Sequence, residues 1–209
     1  AVYSTYLAGY AISALVVIPL TDRFGPKRVF LTAAPLSIVA HVLFPLVADN
    51  IVSGMALMAL AGIGLVGIYM PGMRIVSERF QTRGRGFAVG LYVTAYYAGS
   101  SVSLTATGGL MSSLNWQDAY LVLALASSAG LVLAYLLLRG HTDRPCGDST
   151  GRLDLSVLSN RQVRHFIMGY SLHAWELYAV RVWLPAFLVA ALVARGVGDH
   201  QAVVGAATV

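Results

Sequence analysis

Charge is what this chain has least of. Asp, Glu, Lys and Arg together make up 11% of its 209 residues, against about 25% in a soluble domain. With 57% hydrophobic residues and a mean hydropathy of +0.72, the chain falls outside the soluble globular class. Lipid rather than water is the expected solvent for most of its side chains. The single cysteine, Cys146, excludes an intrachain disulfide and a thiolate metal cluster. There is no His-Glu-x-x-His and no Gly-x-Ser-x-Gly, so no enzyme centre, metal or cofactor is expected. No basic segment precedes the first apolar run, so a signal peptide is not expected either. The chain opens on Ala1 rather than methionine and closes on an apolar run, His200 to Val209, about half a crossing long. The expectation is a fragment of a longer chain.

What is present is a series of uncharged runs broken by basic turns. Spans are expected at about Ala1 to Thr21, Pro26 to Val47, Ile51 to Met73, within the charge-free stretch Gly86 to Gln117, at Ala119 to Leu138 and at His165 to Val193. Each is close to the ~20 residues an α-helix needs to cross the hydrocarbon core. A seventh begins near the end. The expected fold is all-α, a polytopic transmembrane helix bundle of six complete spans plus the start of a seventh.

Twelve of the 14 basic residues fall in alternate turns: Arg23, Lys27, Arg28, Arg74, Arg79, Arg83, Arg85, Arg139, Arg144, Arg152, Arg161 and Arg164. The opposite turns hold only Arg195, and Arg181 lies within a span. Arginine and lysine stay on the cytoplasmic side during insertion, so the first span runs from outside to inside. The formal net charge of +5 is then a matter of topology and anionic lipid, not of nucleic acid. Residues 140–159, with Asp143, Arg144, Pro145, Gly147, Asp148 and Gly151, read as a cytoplasmic linker. It separates a bundle at 1–139 from the start of a second at 160–209.

Local signals refine the helices. Pro26 suits a first helical turn, and Gly108-Gly109 a helix end. Asn115 with Asp118 three residues on resembles a capping box, and Trp116 suits the interface belt. Pro35 and Pro45 lie inside the second span, where neighbours must satisfy the freed backbone groups. Gly62-Ile63-Gly64-Leu65-Val66-Gly67 fits a dinucleotide-binding pattern. It lies in mid-span rather than between a strand and a helix, so close helix packing is the reading. Gly86, Gly90 and Gly99 are expected to serve close packing too.

The sixth span carries the residues richest in chemistry: Tyr170, His173 and Glu176, then Arg181. At ~1.5 Å per residue from Arg164, His173 and Glu176 lie about 13 and 18 Å deep, near the midplane. An acid there costs at least ~2.5 kcal/mol facing lipid, so a cavity or a partner is expected. Tyr170, His173 and Glu176 share one helical face, suited to a proton, a cation or a polar substrate group. Arg181, five residues after Glu176, does not stack on it unless Pro185 kinks the helix. The plainer alternative is a structural pair with Arg181 snorkelling outward. Tyr6 and Tyr10, and Tyr92 and Tyr96, form two further aromatic faces that can line a cavity or simply pack; Tyr97 points about 100° from Tyr96. His41, alone on its helix, reads as a hydrogen-bonded structural residue.

The turn Pro19-Leu20-Thr21-Asp22-Arg23-Phe24-Gly25-Pro26-Lys27-Arg28 resembles the signature of the major facilitator superfamily of secondary transporters, Gly-x-Leu-Ala-Asp-Arg-x-Gly-Arg-Lys. Leu20, Asp22, Arg23, Gly25 and Lys27 match in register, while Ile18, Thr21 and Pro26 stand where the family has Gly, Ala and Arg. Ser77-Glu78-Arg79-Phe80 with Arg85-Gly86-Phe87-Ala88-Val89-Gly90 is similar to the family's passage from fourth to fifth helix. Asn115-Trp116-Gln117-Asp118-Ala119-Tyr120 is similar to the start of its sixth. The resemblance implies the family's second helix to the start of its eighth. It also implies transport of a small-molecule substrate by alternating access, coupled to a proton or ion or by exchange. The expected protein is monomeric, in contact with lipid, in a plasma membrane, with a bacterial inner membrane the first choice. Asp22, Arg23, Gly25, Lys27 and Arg28 would form a gating loop, against the plainer reading of a solvated charge cluster. Met58 stands where many proton-coupled members carry Arg, so that role does not transfer. The rival expectation is a transport-inactive receptor or sensor on the same fold.

Overall fold

The structure, a computed structural model, describes residues 2–80, 84–140, 142–143, 155–198, 201–203 and 206. Among the described residues six long helices follow one another: α1 (Val2–Phe24), α2 (Pro26–Val47), α3 (Ile51–Arg79), α4 (Arg85–Met111), α5 (Trp116–Leu138) and α6 (Arg161–Ala194). A single 3-10 turn at Leu155–Ser159 precedes α6. Among the described residues there is no strand. All helices but α4 are long and apolar enough to cross a membrane. The chain is therefore an integral membrane protein. In α4 the run is 27 residues long, but Ser100, Ser101, Ser103, Thr105 and Thr107 dilute its hydropathy. Most of the expected linker, with Cys146, and most of the seventh span lie outside the described residues; residues 201–203 are helical.

The helix starts follow local chemistry. Asn50 Oδ1 accepts from the N–H groups of Val52 and Ser53 at 3.0 and 2.9 Å, and Ser53 Oγ accepts in return from Asn50 N–H at 3.3 Å. That is a capping box. Asn115 does the same for α5 through Asp118 N–H at 2.8 Å, and Asn160 for α6 through Gln162 N–H at 2.9 Å. Each such cap is worth about 1 kcal/mol to its helix.

Two compact units divide the chain, one formed by Ala1–Ser100 with Asn115–Arg152, the other by Ser101–Leu114 with Leu153–Val209. In the first, α3 is central: it packs along α1 and α2, and α5 packs on α2. The glycines of the rejected dinucleotide pattern explain why. A Cβ at Gly62 would run into the Tyr6 carbonyl of α1, and one at Gly64 would lie 2.6 Å from Ser37 Cβ of α2. A Cβ at Gly67 would strike Ala33 of α2. With no hydrophobic drive between helices in lipid, close backbone approach over small residues supplies the packing energy. Most buried side chains here are accordingly small, Ala34, Ser37 and Ala40 on α2 and Ala61 and Val66 on α3, with Met58 of α3 the larger exception. By contrast, no described atom lies within 4 Å of a Cβ placed at Gly86, Gly90 or Gly99. The close packing expected there is absent among the described residues, because the faces of α4 carrying these glycines meet no described helix.

In the second unit, α6 touches the 3-10 turn before it. Arg164 Nη1 donates to the carbonyls of Leu158 and Ser159 at 2.9 and 3.2 Å. No residue of α6 is buried.

Candidate functional site

At the α1–α2 turn the chain has a geometric problem. Gly25 occupies the N-cap of α2 with φ of 91° and has no side chain to cap it. The first-turn N–H groups of a helix have no intrahelical partner and carry partial positive charge. Asp143, beyond the end of α5, supplies the missing acceptor. Its Oδ1 accepts from Lys27 N–H at 2.8 Å and its Oδ2 from Arg28 N–H at 3.2 Å. Arg28 Nε lies 3.7 Å from the same carboxylate, which is only 10% exposed. Lys27 Nζ donates to the Arg139 carbonyl at 3.3 Å. A Cβ at position 25 would lie 2.6 Å from Asp143 Cγ. Glycine is therefore required twice, for its left-handed backbone and for the approach of the carboxylate.

Asp22 faces a different partner. Arg74 of α3 donates through Nη1 to Asp22 Oδ1 at 2.5 Å and through Nε to Glu78 Oε1 at 2.7 Å. Arg74 Nη1 also reaches the Thr21 carbonyl at 3.5 Å. The guanidinium side chain, 21% exposed, thus ties the end of α1 to the end of α3 by charge-assisted bonds. Glu78 Oε2 is buried without a hydrogen-bond partner among the described residues. Two acids share one cation, and one carboxylate oxygen is left without a donor. Arg23 stands over the Phe24 ring at 5.2 Å and joins neither cluster among the described contacts.

Of the expected site residues, Asp22, Gly25, Lys27 and Arg28 all lie in these two clusters. Three participants escaped the sequence reading: Arg74, Glu78 and Asp143. The i, i+4 spacing of Arg74 and Glu78 was a usable signal; Asp143 gave none, since its partner is 116 positions away in sequence.

Seven tyrosines of the first unit fall into two aromatic groups. Tyr92 and Tyr96 of α4 surround Tyr69 of α3, with ring centroids 5.9 and 5.4 Å away, and Tyr92 Oη donates to the Tyr69 carbonyl at 3.2 Å. Tyr97 stands edge-on to Tyr96 at 5.5 Å and is exposed. Tyr6 stacks on Tyr3 and meets the edge of His41, which stacks in turn on Tyr120 of α5. Tyr10 is half-buried on the same face of α1, where Gly62 of α3 comes against the backbone. His41 Nδ1 bonds the Ser37 carbonyl at 2.8 Å, so it is hydrogen-bonded as expected. Met58 is 8% exposed, packed into the bundle rather than open to a cavity.

On α6, His173 Nδ1 stands 3.7 Å from Glu176 Oε2, with the two side chains 63% and 74% exposed. That distance is an ion-pair contact when the imidazole is protonated, and too long for a hydrogen bond. Tyr170 lies one turn before His173 and is exposed, and Arg181 is half-buried. The helix continues unbroken through Pro185.

Comparison with known proteins places these features in a family. The description "Major Facilitator Superfamily" fits residues 1–204, and the chain belongs to that family. It is 32% identical over 149 residues to the uncharacterized MFS-type transporter Rv1250 of Mycobacterium tuberculosis, covering 69% of this chain and 25% of that protein. It is 32% identical over 209 residues to the probable anion transporter 2, chloroplastic, of Oryza sativa subsp. japonica, covering 89% and 38%. To the probable sulfoacetate transporter SauU of Cupriavidus necator it is 26% identical over 190 residues, covering 90% and 43%. The chain thus spans between a quarter and somewhat over two fifths of these relatives.

Proposed function

We propose that the full-length protein is a secondary transporter that moves a small solute across a plasma membrane by alternating access. The family match over residues 1–204 carries this reading. In such transporters two helix bundles rock around a site near the midplane. Residues 1–139 form the first bundle, 140–159 a cytoplasmic linker, and the second begins at 160. The protein works as a monomer and no enzymatic step is involved.

The substrate is a small organic or inorganic anion. Relatives named for anions and for sulfoacetate support this class. Arg181 is the cation offered to it, and Glu176 with His173 takes the coupling proton or ion. Tyr6, Tyr10, Tyr92, Tyr96 and Tyr170 line the path. The Asp22 turn is the gate, a reading supported by the Asp22–Arg74 ion pair, which exchanges partners cheaply because both groups stay near water.

The test is uptake of labelled sulfoacetate and inorganic phosphate into vesicles carrying the full-length protein, under an imposed pH gradient. Glu176→Gln should abolish the gradient dependence while Tyr97→Phe leaves uptake intact. If Glu176→Gln shows the wild-type response to the gradient, the coupling role is wrong. If neither anion is taken up, the substrate class is.

A further inference from the structure

Two acids hold the α1–α2 turn, one on each side of Gly25. On the α1 side Asp22, its side chain 42% exposed, meets Arg74. On the α2 side Asp143, 10% exposed, accepts from the first-turn N–H groups of Lys27 and Arg28. An ion pair close to water is weak and forms only where its geometry is already set. A desolvated carboxylate on two backbone donors is the stronger and more fixed contact. Asp22 is therefore the side that lets go, and Asp143 the side that stays.

The two sides are joined through Gly25. The Thr21 carbonyl accepts from Gly25 N–H at 3.1 Å and from Arg74 Nη1 at 3.5 Å. The Gly25 carbonyl accepts in turn from Val29 N–H at 3.3 Å, within the helical turn that Asp143 caps. The neighbours of this joint are firmly placed. Thr21 is buried, with its hydroxyl donating to the Val17 carbonyl at 2.8 Å, and Pro26 is fully buried. Gly25 itself stands at φ 91° with no side chain to hold it there. Glycine takes either sign of φ at little cost, so the hold must come from outside, and Asp143 supplies it. Lys27 fastens the same joint from the other direction, its Nζ donating to the Arg139 carbonyl at the end of α5 at 3.3 Å. An anion at the start of α2 and a cation at the end of α5 each face a helix dipole with the favourable sign.

We propose that Asp143 is a positioning residue of the gate: by holding Gly25 at positive φ it sets the turn so that Asp22 reaches Arg74. Its influence on the gate runs through Asp22. The inference rests on the reading of the Asp22 turn as the gate, and it puts a residue outside that turn in control of it.

Arg23 is next to Asp22 and joins neither cluster among the described contacts, so a spin label on Arg23→Cys reports the α1 side of the turn. The label is read by its resonance line shape in the full-length protein in lipid nanodiscs, in a Cys146→Ser background. Asp22→Asn should raise the ratio of mobile to immobile label. Asp143→Ala should raise it too, about fivefold, the effect of losing one cap, although its own hydrogen bonds lie beyond Gly25. Asp143→Asn keeps an acceptor oxygen and should raise it less. Both acids act on one tie, so Asp22→Asn with Asp143→Ala should fall short of the sum of the single effects. Asn115→Ala removes a cap at the other end of α5 and should leave the ratio alone, which separates positioning from lost stability. A label unmoved by Asp143→Ala, an equal rise in Asn115→Ala, or fully additive effects would each overturn the proposal. Failure of the gate reading is distinguishable: Asp22→Asn would then mobilise the label without changing the access of a cysteine probe across the membrane. That result would overturn the gate and, with it, this role for Asp143.

Discussion

Replacing Asp143 by alanine removes the carboxylate that caps α2 from outside the helix. Two N–H···O bonds, of 2.8 and 3.2 Å, are lost, and the N-cap Gly25 has no side chain to take them over. Loss of an N-cap acceptor costs about 0.5–2 kcal/mol, and loss of a charge at the positive end of the helix dipole about 0.3–1 kcal/mol. The acid is nearly buried, so solvent screens it little, and about 1–2 kcal/mol is the reasoned total, a factor of roughly 5–30. Hydrogen exchange at the Lys27 and Arg28 amides should speed up by that factor in Asp143→Ala, and by less in Asp143→Asn, whose amide oxygen can still accept. Gly25→Ala reaches the same end by another route, because its Cβ displaces the carboxylate. The carboxylate contact is lost only once, so the double variant should exceed Asp143→Ala only by the strain of alanine at a φ of 91° and fall short of the sum of the two single effects. Fully additive effects, or amides whose exchange ignores Asp143→Ala, would refute the reasoning.

Other expectations follow from the same contacts. Gly62→Val should destabilise the α1–α3 packing by about 1–3 kcal/mol, as overpacking does, and lower the thermal melting point; an unchanged melting curve would contradict the close approach. Arg74→Ala strands the Asp22 and Glu78 carboxylates and should cost about 1–2 kcal/mol, with Asp22 partly relieved by water. Glu78→Gln should cost less in the same melting assay, because its amide supplies a donor of its own; the reverse order would show that Arg74 is not the hub. Asp22→Asn weakens the tie to Arg74 and should change the reactivity of a cysteine probe placed on the opposite side of the membrane. Unchanged reactivity would leave the turn as topology alone.

The helices were legible because lipid imposes a simple rule: uncharged runs cross and charged segments turn. Residues 26–47 were read to the residue, and Asn115 was read as a cap from its spacing to Asp118. The glycines at 62, 64 and 67 could be separated from a nucleotide motif by their place in mid-span. Partner choice was harder. Asp22 belongs to a motif, but nothing in the motif says that Arg74 faces it, because that depends on how α1 and α3 cross. Asp143 stood in a polar stretch whose composition says only that it lies in water. The packing expected at Gly86, Gly90 and Gly99 shows the opposite limit: small residues permit an approach, and only a facing helix makes one.

The account rests on helices threaded through lipid, with the charged turns on one side. Single cysteines at Gly84 and at Ser113, in a Cys146→Ser background, bracket α4 and can be labelled with an impermeant maleimide in sealed membrane vesicles of known orientation. The threading predicts that Gly84→Cys reacts only from the cytoplasmic face and Ser113→Cys only from the other. Both sites reacting from one face would contradict it.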